Sequence, residues 1–192
     1  MIERMTYPLD IAGLHRELPL CPIGENLMIA SFICFGDQEV TVACAAELLK
    51  LVPREDYDYL FTSEAKSIPL IHEMARQSEA DKYFIARKGP KAYMPDPICV
   101  EDQSITTAGV QKLYLGRDDA ELIRGKRILL MDDVISRGGS IRAMEKLVAL
   151  AGGTVAGRIA VLAEGAAALR TDIRVLASLP LFDGEGRPLP FG

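Results

Sequence analysis

Apolar positions along this chain come in short runs, and their spacing alternates between a helical period and a strand period. Residues 1–37 hold Pro8, Pro19 and Pro22 among short apolar pieces, the last being LMIASFICF, which predicts a small strand-rich lobe. From residue 38 the pattern changes. QEVTVACAAELLKLV (38–52) predicts a helix and YDYLFTSE (57–64) a short strand. IPLIHEMARQSEA (68–80) predicts a second helix: Ile68, Ile71, Met74 and Ala75 fall at helical spacing, and Pro69 sits in the first turn, where proline is tolerated. KYFIARK (82–88) reads as strand and GPKAYMPDP (89–97) as loop. ICVEDQSI and VQKLYL flank TTAG as an antiparallel hairpin, which makes 89–112 a projecting flap. DDAELI is a helical turn stopped by Gly125. Strand 127–131, helix 140–151 and strand 155–164 follow, and a last strand, IRVLASLPLF (173–182), closes the chain.

Helices alternating with apolar strands imply an α/β fold with a mainly parallel sheet covered on both faces. Ligands of such sheets sit beyond the carboxyl ends of the strands. The polar clusters TSEAKS, ARKGPK and DDVISRGGS each follow a strand, so all three fall on that edge. With 192 residues the chain suits one domain, a hood of 1–37 on a core of 38–192.

Composition narrows the classes. A hydrophobic share of 49% with 26% charged residues excludes a disordered or fibrous chain. A net charge of −5 gives no general attraction to nucleic acid or to an anionic membrane. No apolar run approaches the ~20 residues of a membrane span, and MIERMTYPLD lacks the apolar core of a signal peptide. Cys21, Cys34, Cys44 and Cys99 form no CxxC pair, and with only His15 and His72 beside them no zinc site is expected. Reduced thiols and a cytoplasmic location are the expectation.

The chemistry concentrates in RILLMDDVISRGGSIRAMEKL (127–147). Asp132 and Asp133 stand side by side at the end of an apolar strand, where like charges repel and need compensation. Gly138 and Gly139 let the backbone approach a ligand closely, and Ser140 suits the N-cap of the following helix. Successive backbone N–H groups at a helix start favour an anion, most naturally phosphate. Ionised carboxylates only accept hydrogen bonds, so sugar hydroxyls are fitting partners, with a divalent cation as an alternative. Phosphate on the turn and a diol on the acids describe a ribose 5-phosphate.

ILLMDDVISRGGS resembles the phosphoribosyl-pyrophosphate (PRPP) signature of the type I phosphoribosyltransferases: apolar residues, two acids, two variable residues and a small-residue phosphate loop. TSEAKSIPL resembles the family's pyrophosphate loop, and FIARKGPK the strand-end RK and following lysine of its adenine and xanthine subgroup. The resemblance covers about residues 38 to 165 and implies purine phosphoribosyl transfer from PRPP. It assigns the 5-phosphate to Ser136, Arg137, Gly138, Gly139 and Ser140, and the ribose to Asp132 and Asp133. Pyrophosphate falls to Ala65, Lys66, Ser67, Arg87, Lys88 and Lys91, with Asp132, Asp133, Lys66 and Arg87 as the catalytic set. Mg2+ is implied as a cofactor held mainly by PRPP and not directly by the protein; a nucleobase is the second substrate and a homodimer the expected assembly. Tyr93 and Tyr114 could stack on a base or serve packing.

Two positions depart from the family pattern. Arg137 stands where a small residue is usual; it could point outward, add a charged contact, or fold inward against the ligand. The flap region reads SITTAG where adenine-type enzymes carry an acid after an aromatic residue. A non-catalytic PRPP or nucleotide sensor of the same fold is therefore the alternative expectation, although Lys66 and Arg87 suit a leaving group that a sensor would not need to stabilise.

Overall fold

The computed structural model describes residues 5–103 and 110–192. The hood begins as an antiparallel meander, β1 (Thr6–Ile11), β2 (Leu14–Pro22) and β3 (Leu27–Ala30), as its prolines and short apolar pieces predict. Helix α1 (Gln38–Leu49) starts where the Asp37 carboxylate accepts the Val40 N–H at 3.1 Å. Arg16 of β2 donates to the same carboxylate at 2.7 Å, so the cap also fastens the hood to the core.

β4 (Tyr59–Ser63), α2 (Ile68–Gln77) and β5 (Tyr83–Ala86) follow at the expected places. β6 (Ile98–Gln103) and β7 (Val110–Leu115) pair antiparallel, so the hairpin exists, while its SITTAG tip at 104–109 lies outside the described residues. Then come α3 (Arg117–Ile123), β8 (Arg127–Ile135), α4 (Gly139–Leu150) and β9 (Thr154–Glu164). β10 (Arg174–Leu179) and β11 (Phe182–Asp183) complete the chain.

The central sheet is parallel throughout, in the order β10-β9-β8-β4-β5. Its two faces are read off β8: Leu129 and Met131 pack with the hood, α1 and α2, while Ile128 and Leu130 pack with α4 and the hairpin. All four are buried, and each fully buried large aliphatic side chain contributes about 1.5–3 kcal/mol. No helix among the described residues is long and apolar enough to cross a membrane.

Two expectations are corrected. The closing strand does not run from 173 to 182 as one element. Pro180 has no N–H for the ladder; β10 stops before it, and β11 crosses to the hood, pairing with β3 through Phe182↔Met28. β8 does not stop at residue 131 either, but runs through both acids to Ile135 because β9 pairs with it that far, Ile135 opposite Ala163.

Candidate functional site

β8 outruns β4, whose pairing with it ends at Phe61↔Leu130. The flank of β8 beyond that point is met by the turn 64–67, which leads from β4 into α2 and contains a cis Glu64–Ala65 peptide. That turn supplies what the acids need. The Ser67 hydroxyl donates to Asp132 Oδ1 at 2.8 Å, lies 3.4 Å from Asp133 Oδ1, and accepts the Asp133 N–H at 2.9 Å. It has one proton to give, and the shorter contact takes it. Lys66 Nζ stands 2.7 Å from Asp133 Oδ2, an ion pair without the alignment of a directed hydrogen bond.

Asp132 and Asp133 are 8% and 3% exposed, which makes their charges expensive. Burial first, and then the neighbouring Asp133 charge, pushes the Asp132 carboxyl well above the usual carboxylate range. Burial would lower the Lys66 ammonium, but its contact with Asp133 and the charge of nearby Asp132 together outweigh that and raise it. Cys34, at the exit of the hood, donates to the Lys66 carbonyl at 3.1 Å and braces the loop; burial pushes its thiol up to about 11.

The other expected residues gather along the same edge. α4 begins at Gly139, with Gly138 at the cap in a left-handed conformation, φ 73°. Ser140 is therefore inside the first turn and makes no cap hydrogen bond, contrary to expectation: the left-handed glycine starts the helix two residues earlier than a serine cap would. Arg137 is exposed, and its carbonyl accepts from Arg142 Nη1 at 2.7 Å. Ser136 and Arg137 line a cavity of about 570 Å3 against the hood residues Ile23 and Leu27. Arg87 Nη2 pairs with Glu64 at 3.0 Å, its Nη1 donates to the Tyr93 hydroxyl at 2.6 Å, and its Nε is buried with no hydrogen-bond partner among the described residues. Tyr93 is thus an exposed partner of Arg87 and not a packing residue. Lys88 contributes its backbone N–H to Glu64 at 2.7 Å. Burial raises Glu64, but the Lys88 N–H, the Arg87 guanidinium and the nearby Lys91 together hold it below its ordinary value.

Sequence reasoning missed Glu64 and Glu164. Glu164 ends β9, is 8% exposed, and lines both the 570 Å3 cavity and a neighbouring one of about 250 Å3 bounded by Phe32, Lys66, Val134 and Ser136. Burial raises its carboxyl, with the Ser136 hydroxyl and Lys66 acting in the opposite direction. An acid at the carboxyl end of a central strand was the available signal. Among the described residues no group of three or more His, Cys, Asp or Glu could hold a metal. The arrangement has donors and cations for phosphates on both sides of two acceptor carboxylates, below an apolar hood.

No protein-family model matches the chain. An adenine phosphoribosyltransferase of Corynebacterium diphtheriae is 31% identical over 164 residues, 82% of this chain and 86% of the relative. Another, of Thermotoga petrophila, is 29% identical over 147 residues, 77% and 83% of the two chains. A hypoxanthine/guanine phosphoribosyltransferase of Methanocella arvoryzae is 29% identical over 160 residues, 83% of this chain and 75% of the relative. Among solved structures, adenine phosphoribosyltransferase from Thermoanaerobacter pseudethanolicus has a TM-score of 0.68 at 20% identity, covering 84% and 95% of the two chains. The Saccharomyces cerevisiae enzyme, complexed with an imino-altritol bisphosphate and adenine, has a TM-score of 0.65 at 16% identity, covering 83% and 92%. The parallel sheet, the paired acids beside a glycine turn and these likenesses agree: the chain belongs to the type I phosphoribosyltransferases, in the adenine-type group of enzymes that transfer phosphoribosyl groups to purines.

Proposed function

We propose that this enzyme transfers the 5-phosphoribosyl group of PRPP to adenine, giving the nucleoside 5-monophosphate and pyrophosphate. The observation that carries the reading is the convergence of Ser67 and Lys66 on Asp132 and Asp133 beside the turn 136–140. In this reading the turn holds the 5-phosphate through its backbone N–H groups and the hydroxyls of Ser136 and Ser140. Asp132 and Asp133 accept from the ribose hydroxyls. Pyrophosphate lies against Ala65, Lys66, Ser67, Arg87, Lys88 and Lys91.

The bond from the anomeric carbon to the pyrophosphate oxygen breaks with its electron pair on pyrophosphate, where Lys66 and Arg87 stabilise the leaving charge. The ribose becomes oxocarbenium-like, the acids lie close to that positive charge, and a ring nitrogen of the base donates the pair that forms the new bond. Mg2+, entering with PRPP, would supply further charge neutralisation when bound.

The base belongs in the cavity between Phe32 and Val134. Adenine offers an amino donor there, and Glu164, when ionised, is an acceptor. A homodimer suits the exposed apolar Ile33 and Phe35 at the end of the hood, and four free cysteines suit a reducing cytoplasm.

Incubation with Mg2+, PRPP and each of adenine, hypoxanthine, guanine, xanthine, orotate and uracil, followed by pyrophosphate release, tests the reading. Release with adenine is expected. Release with none of them, alongside measurable PRPP binding, would overturn catalysis in favour of sensing.

A further inference from the structure

Arg170 is absent from the signature and lies beyond the segments that resemble the family, yet it reaches the phosphate turn. It follows the 3-10 turn Gly165–Leu169 after β9. Its guanidinium rests directly on Gly138: a Cβ built there would meet Arg170 Nη1 at 2.6 Å and Arg142 Nη1 at 3.3 Å. The side chain is held in place. Arg170 Nε and Nη2 donate to the two oxygens of Asp172 at 2.9 and 2.7 Å, and Asp172 also stands 3.9 Å from Arg158, itself paired with Glu145 of α4. Arg142, fixed by its 2.7 Å bond to the Arg137 carbonyl, borders the same 570 Å3 cavity as Arg170 and Ser136.

This placement runs against the helix. The first turn of α4 contains no acid, and its start carries the positive end of the helix dipole. Two guanidinium groups gathered there add positive charge beside the turn, and Asp172 faces only one edge of Arg170. An anion seated between the guanidinium groups and the backbone N–H groups would meet charge-assisted donors from both sides. Asp172 occupies the Nε–Nη2 edge of Arg170 and leaves Nη1 directed at the turn.

We propose that Arg170, oriented by Asp172 and seconded by Arg142, is a side-chain ligand of the ribose 5-phosphate and sets the enzyme's preference for phosphorylated over unphosphorylated ligands. The inference rests on the reading above that the turn takes the 5-phosphate. It also gives the arginine-rich surroundings of a turn whose Arg137 replaces a small residue a purpose: charge from outside the loop does what a further small hydroxyl would do within it.

Calorimetric titration of wild type, Arg170→Gln and Arg170→Lys with AMP and with adenosine separates the phosphate from the rest of the ligand. Arg170→Gln leaves Asp172 beside Arg158, so its melting temperature should stay near that of wild type. We expect its AMP affinity and its KM for PRPP to worsen about tenfold or more, the worth of a charged hydrogen bond. Adenosine affinity and kcat should hold, and Arg170→Lys should recover part of the loss. Unchanged AMP affinity in a folded Arg170→Gln protein overturns the inference and leaves the transferase reading standing. Equal losses for AMP and adenosine overturn it too, by assigning Arg170 a structural role. Wild type that binds neither PRPP nor AMP removes the phosphate site itself, and this inference with it.

Discussion

Replacing Asp132 by Asn should make the empty enzyme more stable at pH 8 while weakening its hold on PRPP. The Asp132 carboxyl sits above its ordinary value because it is buried and adjoins the Asp133 charge. A group raised in the folded state favours folding most at low pH, and that contribution is lost as pH rises from the unfolded value through the raised one. At pH 8 the ionised pair therefore withholds stability. A tenfold weakening of an acid on folding is worth about 1.4 kcal/mol, and an acid held far above the carboxylate range withholds on the order of 2–4 kcal/mol. Asparagine keeps an Oδ1 to accept from Ser67, now at 2.8 Å, and from the Asp133 N–H, now at 3.0 Å, so the local bonds survive without the charge. For a chain of this size 1 kcal/mol corresponds to about 2–4 °C in Tm. Asp132→Asn should thus melt at least about 4 °C above wild type at pH 8, with the gap closing towards pH 4.5, where the wild-type acid is protonated. PRPP affinity, measured on the same protein by calorimetry, should fall about tenfold or more as one charged acceptor for the ribose is lost. Thermal melts across pH 4.5–8.5 decide the matter: a variant less stable than wild type at pH 8, or a gap independent of pH, would show that Asp132 carries no stored electrostatic cost.

Lys66→Ala should lower kcat more than it raises KM for PRPP if, as proposed, the ammonium meets charge that develops on departing pyrophosphate; steady-state kinetics showing a change in KM alone would make it a uniform binding contact instead. Glu164→Gln should raise KM for adenine several-fold and more than KM for PRPP, since the side chain lines the 250 Å3 cavity as well as the one at the phosphate turn; equal effects on both substrates would move Glu164 out of the base pocket.

The buried pair Asp132 and Asp133 is an unfavourable term of the site, because burial and the neighbouring charge both act against ionised Asp132. In the proposed reaction, ribose hydroxyls donating to the acids would reduce that cost. Such tension is stabilised from elsewhere in the molecule, here by the alternating core of β8 and by the Arg16–Asp37 bond that seats the hood over the sheet edge.

How much of this was written in short windows of sequence differs by element. The strand and helix periods of 57–88 and 127–164 identified β4, α2, β5, β8, α4 and β9, because burial on two faces imposes a repeat that any ten residues display. The two acids and the glycine pair were equally legible, since a turn needing positive φ and a phosphate needing bare N–H groups both restrict residue type locally. Windows of sequence could not show that β8 runs past its acids, because that depends on β9 continuing alongside to Ala163. Nor could they show Pro180 sending Phe182 across to β3.

The partners of the acids were decided by tertiary structure alone. Ser67 lies 65 residues from Asp132 along the chain, and it meets that acid because β4 lies beside β8 and stops short of it. Arg170 reaches Gly138 by the same logic from the other neighbouring strand. Sequence determined which chemistry sits at the ends of the strands, through periodicity and turn geometry that act over a few residues. Strand order, a property of the whole sheet, decided which of those ends face one another, and with it the charge balance on which the site depends.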